Sequence, residues 1–172
     1  MPSNYGITST NPLSDLDDDP EVLAQEFFKS IWDDTLCGIA QADIDFGYEQ
    51  DNNNRKKYSV KFEENFTDIA HPDLPDKYSQ YDIVMDCNIS EYTGRIYKTE
   101  HHAAASGRGG GRYKLRKYVE RVINQNNRSG MPTQKIKHLY LVGSRNVPEP
   151  ERVDIHSAVV TFIMRLWKVT LV

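Results

Sequence analysis

Apolar and polar side chains alternate through "YDIVMDCNI", residues 81–89: Tyr81, Ile83, Met85 and Cys87 against Asp82, Val84 and Asp86. A period of two sends successive side chains to opposite faces of a strand, so this stretch fits a sheet with one dry face and one wet face. The same alternation occurs in "AQADIDFGY", where Ala40, Ala42, Ile44, Phe46 and Tyr48 face one way. It returns in "KYSVKFE" with Tyr58, Val60 and Phe62. The polar stretch "EQDNNNR" between these two is turn chemistry, which predicts a hairpin with a long loop. After "YDIVMDCNI", the stretch "TGRIYKT" follows a Gly-containing turn and is expected to pair back. Strands of this kind form an antiparallel meander, which can pack one face and leave the other in water.

Helical spacing brackets the meander. In "DDDPEVLAQEFFKSIWDD", Asp19 is placed to cap, Pro20 suits the first helical position and Glu21 suits the positive end of the dipole. Leu23, Phe27 and Ile31, joined by Phe28, form its buried stripe. A second helix is predicted over "RYKLRKYVERVINQ", with Leu115, either Tyr118 or Val119, and Val122 inward, and "NNRSG" ends it. "KIKHLYLVGS" reads as a strand. "SAVVTFIMRLWKVTLV" stays open: β-branched content argues strand, length argues helix or a bent pair of strands. The resulting fold class is α+β, a β-meander packed on an N-terminal helix with a basic helix and a further strand after it. Residues 1–17 are polar and read as a flexible arm, and 18–172 as one domain. With 172 residues and 38% hydrophobic content, the chain is long enough to bury a core.

Charge divides sharply along the chain. Residues 1–92 hold six Lys/Arg against twenty Asp/Glu, whereas 93–138 hold eleven against two. The net charge of −4 conceals this contrast. Its centre is "HHAAASGRGGGRYKLRKYVERV", residues 101–122. Glycines and arginines opening onto a helix put backbone N–H groups and guanidiniums at a positive dipole end, which suits an anion. The phosphate loop of nucleotide hydrolases is absent, because no Gly-Lys-Ser/Thr follows, and Arg112 stands where a dinucleotide fingerprint needs its third glycine. A solvated helix face would intersperse acids, but here Glu120 alone does so.

Arg95, Lys98, Arg108, Arg112, Lys114, Arg116, Lys117 and Arg121 are therefore the expected polyanion-binding residues, with Tyr97, Tyr113 and Tyr118 interleaved. Nothing in the set reads bases, so non-specific nucleic acid (RNA foremost) or an anionic membrane surface is the expected partner. The complementary halves also suggest copies packed head to tail, with Leu166, Trp167 and Leu171 of the apolar tail as the self-association contacts. Small viral matrix and nucleocapsid-associated proteins share this general profile. No signal peptide pattern and no apolar run of about 20 residues is visible, so an intracellular, cytoplasmic location is expected, virion-associated if the protein is viral.

Enzyme chemistry is weaker in the sequence. Asp43, Asp45, Asp82 and Asp86 could gather on neighbouring strands and hold a divalent cation, as in a divergent metal-dependent nuclease, but the Glu-x-Lys of one such family is missing. His101 and His102 are adjacent and would diverge on a strand, while His71, His138 and His156 are scattered. Cys37 and Cys87 lie outside any ligand or disulfide spacing and read as free thiols. A non-enzymatic protein needing no cofactor or metal is the expectation.

Overall fold

The computed structural model describes residues 19–46, 56–68, 78–97, 110–126, 136–148 and 152–169. Helix α1 spans Pro20–Ile31 and begins as its sequence predicts, with Asp19 Oδ1 accepting from the Glu21 amide at 2.9 Å. Ala24, Phe27 and Phe28 face inward. Glu21 also accepts from the Glu64 amide at 3.0 Å, fastening the start of the helix to the sheet. A one-turn helix α2, Asp34–Cys37, follows and stops at Gly38. There φ is +76°, a left-handed conformation that glycine adopts without Cβ strain.

Strands β1 (Ile44–Phe46), β2 (Tyr58–Asp68), β3 (Tyr78–Tyr97), β4 (Ile136–Asn146) and β5 (Arg152–Val169) make one sheet in the order β1-β2-β3-β5-β4. Helix α3, Gly111–Gln125, joins β3 to β4 in the chain and packs with α1 on one face. The fold is thus α+β, with the N-terminal helix on a mostly antiparallel sheet. Parity sorts the side chains: Ile83, Met85, Cys87 and Ile89 of β3 and Ala158, Val160, Phe162 and Met164 of β5 are buried under the helices. Phe28, Phe62 and Phe162 meet at the centre, with centroids 4.7 Å and 6.1 Å from Phe28. Each such ring contributes about 1.5–3 kcal/mol by leaving water, which holds α1 to the sheet.

Three expectations are corrected. "AQADIDFGY" is not one long strand: Gln41–Asp43 form a 3₁₀ turn and, among its described residues, the strand is Ile44–Phe46. β1 also runs parallel to β2, so the two are not a hairpin. The short side chains at 40 and 42 supply little to bury, whereas Phe46 packs on Trp32 with ring centroids 5.4 Å apart. "TGRIYKT" does not turn back either. β3 continues through it to Tyr97, and the irregularity that Gly94 signalled is a register shift between Tyr92 and Ile96 opposite β5.

The ambiguous tail is a single 18-residue strand. Its β-branched residues and period-two pattern win because β3 offers it seventeen register partners. Leu166 consequently points into the core at 2% exposure and is unavailable to a partner, contrary to its expected role in self-association. Trp167 lies opposite Gln80 in the ladder, with its side chain outside the described residues, and Leu171 lies outside them altogether.

Candidate polyanion interface

Helix α3 opens without local help. Its N-cap is Gly110, which makes no side-chain cap, and its first turn holds no acid. The missing carboxylate comes from the sheet: Glu91 of β3 accepts from the Arg112 amide at 3.0 Å. The register lays Tyr58, Glu91 and His156 side by side across β2, β3 and β5, on the face beneath the helix. Gly111 sits so close to this row that a Cβ there would lie 2.3 Å from Tyr58 Cε1. Glycine is therefore demanded by close approach, so that the helix end can reach Glu91.

Glu91, Arg112 and His156 are all buried, at 4%, 4% and 0% exposure. Arg112 Nη1 donates to the Ser157 carbonyl at 3.4 Å. Burial lowers the Arg112 pKa from its ordinary value, Glu91 opposes that, and neighbouring Arg116 adds to it. Burial and Arg112 together hold His156 below its ordinary value, against the pull of Glu91. The helix N-terminus receives a carboxyl group from within the chain, that of Glu91.

This arrangement corrects the expected binding set. Arg112 faces inward and is 4% exposed. Arg116 turns toward β4, where Nε meets Ser144 Oγ at 2.8 Å, Nη2 meets the Ser144 carbonyl at 3.1 Å and Nη1 meets Asn146 at 3.2 Å. Glu120 completes this seam, accepting from Arg116, Lys117 and the Ser144 hydroxyl. Burial would raise its pKa, but those donors outweigh it and lower it.

Three cations of α3 remain exposed: Lys114, Lys117 and Arg121. Their i, i+3, i+7 spacing sets them within about 60° of arc on the face turned away from the core. Tyr113, 43% exposed, lies beside them, with Lys117 Nζ 5.6 Å from its ring centroid. Lys117 also meets Glu120 at 3.0 Å, a pair in which the lysine is exposed and the carboxylate is largely covered. Lys98 and Arg108 lie outside the described residues, and Arg95 lies in β3 with its side chain outside them.

The four aspartates do not converge. β2 separates β1, which carries Asp45, from β3, which carries Asp82 and Asp86. Asp45 approaches Lys56 at 3.8 Å, Asp82 accepts from Arg165 at 2.7 Å and Asp86 accepts from Thr161 at 2.7 Å. Among the described residues, no three His, Cys, Asp or Glu side chains gather closely enough to hold a metal ion. No helix among them is long and apolar enough to cross a membrane.

The pairing of Glu91 and His156 with the start of α3 is not part of the sequence expectations, although a signal for their burial is present. Extending the alternation of β3 from Ile83 to Ile89 by one step puts Glu91 on the dry face, and His156 shares the parity of Ala158 and Val160. A charged residue at a dry position calls for a partner, and α3 lacks an acid at its start. The fold and this helix together define a two-layer α+β domain with one basic outer stripe. Compared with models of known protein families and with curated proteins, the sequence matches none.

Proposed function

We propose that this protein is a non-enzymatic, polyanion-binding protein that docks single-stranded RNA on the outer face of α3. The observation that carries the reading is the exposed stripe Lys114–Lys117–Arg121 with Tyr113 at its side. Three cations neutralise successive phosphates, and a tyrosine ring gives an unpaired base a surface to stack on. No side chain of the stripe is a rigid base reader held in place by neighbours, so binding is non-specific and salt-sensitive. A reducing, intracellular setting suits this reading, with Cys37 and Cys87 buried as free thiols. Assembly beside a nucleic acid, as in a viral matrix or nucleocapsid-associated protein, is the role it fits.

Fluorescence anisotropy with a labelled uridine 20-mer tests the proposal. Non-specific affinity on the order of 10 µM is expected at moderate salt. Replacing Lys114, Lys117 and Arg121 together by Ala should weaken it at least tenfold, while Arg145→Ala on the opposite side of the sheet should not. Equal affinity of the triple variant and the parent protein overturns the reading. Loss of binding to phosphatidylserine vesicles, with RNA binding unchanged, would make a membrane surface the ligand instead.

A further inference from the structure

We infer that the cluster beneath the start of α3 is a proton-operated latch: when His156 takes up a proton, the first turn of α3 leaves Glu91, while the sheet and the rest of the helix hold. The two parts of α3 are fastened differently. From Leu115 onward the helix buries Leu115, Tyr118, Val119, Val122 and Ile123 against the sheet. The first turn buries only Gly111 and Arg112, and Gly110 caps it without a side chain. Polar contacts tie that turn to the sheet: the Arg112 amide donates to Glu91 at 3.0 Å, and Arg112 Nη1 donates to the Ser157 carbonyl at 3.4 Å. Glycine at 110 and 111 favours release, because glycine gives up the most backbone freedom on being ordered in a helix. A local change of charge can therefore free the first turn without opening the core.

Charge supplies the trigger. Glu91, Arg112 and His156 are each buried, so water screens a charge placed among them poorly. With a neutral imidazole the cluster holds one carboxylate and one guanidinium. A proton on His156 puts two cations around that carboxylate, since Glu91 stands opposite His156 in the β3–β5 register. The imidazolium then competes for the carboxylate that holds the Arg112 amide, and it repels the Arg112 guanidinium. Two further cations act at this end. Arg116 acts on Arg112 from the next turn of α3, itself paired with Glu120, and Lys57 Nζ lies 5.4 Å from the ring of Tyr58, the β2 member of the row. β4 meets this part of β5 through Asn146 and Val147, which do not titrate. Burial and Arg112 hold the closed ring below its ordinary value of 6.5, against the pull of Glu91, so it is neutral at pH 7. Opening returns the ring toward that ordinary value. Acidification below it favours the open form, by at most about tenfold per pH unit for one proton. The latch stands whatever α3 binds on its outer face.

Hydrogen exchange of the full chain, followed at single amides by NMR at pH 7 and pH 5 and corrected for the intrinsic rate, tests it. Protection at Arg112, Tyr113 and Lys114 should fall at least about threefold toward pH 5, within the ceiling that one proton sets. Protection at Val119 and Val122 of the same helix, and at Met85 and Cys87 of β3, should stay. In His156→Asn the first turn should keep one level of protection at both pH values. The His156 ring signals of the parent protein should titrate over the pH range in which that protection is lost, a check that needs no variant. Equal protection of the first turn at pH 7 and pH 5 overturns the inference. A loss shared equally by Val119 and Met85 also overturns it, because the whole domain is then opening. So does a His156→Asn protein with the parent's pH dependence, or a His156 ring that titrates outside the range of the loss.

Discussion

Replacing Glu91 by Gln keeps the side chain's shape and an acceptor for the Arg112 amide, and removes only the charge. The carboxylate has two tasks. It receives the helix N–H at 3.0 Å, and its negative charge opposes the desolvation of the Arg112 guanidinium, which is 4% exposed. A hydrogen bond to a charged group contributes about 1.5–3 kcal/mol and a neutral one about 0.5–1.5, so the first task loses about 1 kcal/mol. A charge at a partly buried helix end adds up to about 2 kcal/mol. Leaving one member of a buried pair uncompensated costs about 3–5 kcal/mol when nothing relaxes. Arg112 retains its bond to Ser157, so the total expected for Glu91→Gln is about 3 kcal/mol. At about 2–4 °C per kcal/mol for a chain of this size, Tm should fall by roughly 6–12 °C. Urea titration followed by circular dichroism measures the loss directly. Adding Arg112→Met should recover most of it, because the charge left without compensation is then gone. A Glu91→Gln protein within 0.5 kcal/mol of the parent would refute the internal cap.

Further outcomes follow from the same row and its neighbours. His156 has a folded-state pKa below its ordinary value of 6.5, through burial and Arg112, so the fold favours the neutral ring. Its contribution is complete above about pH 6.5 and is lost as pH falls from there toward the folded-state value, and His156→Asn should flatten urea stability across that window. Gly111→Ala should cost about 1–3 kcal/mol in a urea titration, because its Cβ meets the Tyr58 ring, and the cost should shrink in a Tyr58→Leu background. Tyr118→Phe removes the hydroxyl that accepts from the Asp33 amide at 2.7 Å and donates to the Ile31 carbonyl at 3.4 Å. About 1–2 kcal/mol should be lost in thermal unfolding, with the packing of Tyr118 against Trp32 unchanged.

What the sequence disclosed follows the range of the forces involved. Local grammar placed the start of α1, because Asp19, Pro20 and Glu21 act within one turn. Period two assigned the faces of β3, because parity needs no knowledge of the neighbouring strand. Strand direction was not legible: alternation gives the faces of β1 and β2 but not that the two run parallel. The charge band was legible as composition but not as a surface. Arg112, Lys114, Arg116 and Lys117 lie within six positions. Helical geometry then sends Arg112 under the helix, Arg116 to β4, and Lys114 and Lys117 outward. The carboxyl group at the start of α3 comes from within the chain, and only the pairing of β2, β3 and β5 brings Glu91 to it.

The salt dependence of RNA binding tests the central claim most directly, because it counts the phosphates that the stripe is proposed to neutralise. Each phosphate contact on a single strand contributes about 0.7 to the slope of log K against log salt, so three cations contribute about 2. Anisotropy titrations from low to moderate salt should show the slope becoming shallower by about 2 when Lys114, Lys117 and Arg121 are replaced by Ala. Arg112→Met should leave the slope unchanged, since that guanidinium is buried. A triple variant with the parent's slope, or an Arg112→Met protein that loses one contact, would contradict the assignment of the outer face of α3 as the polyanion interface.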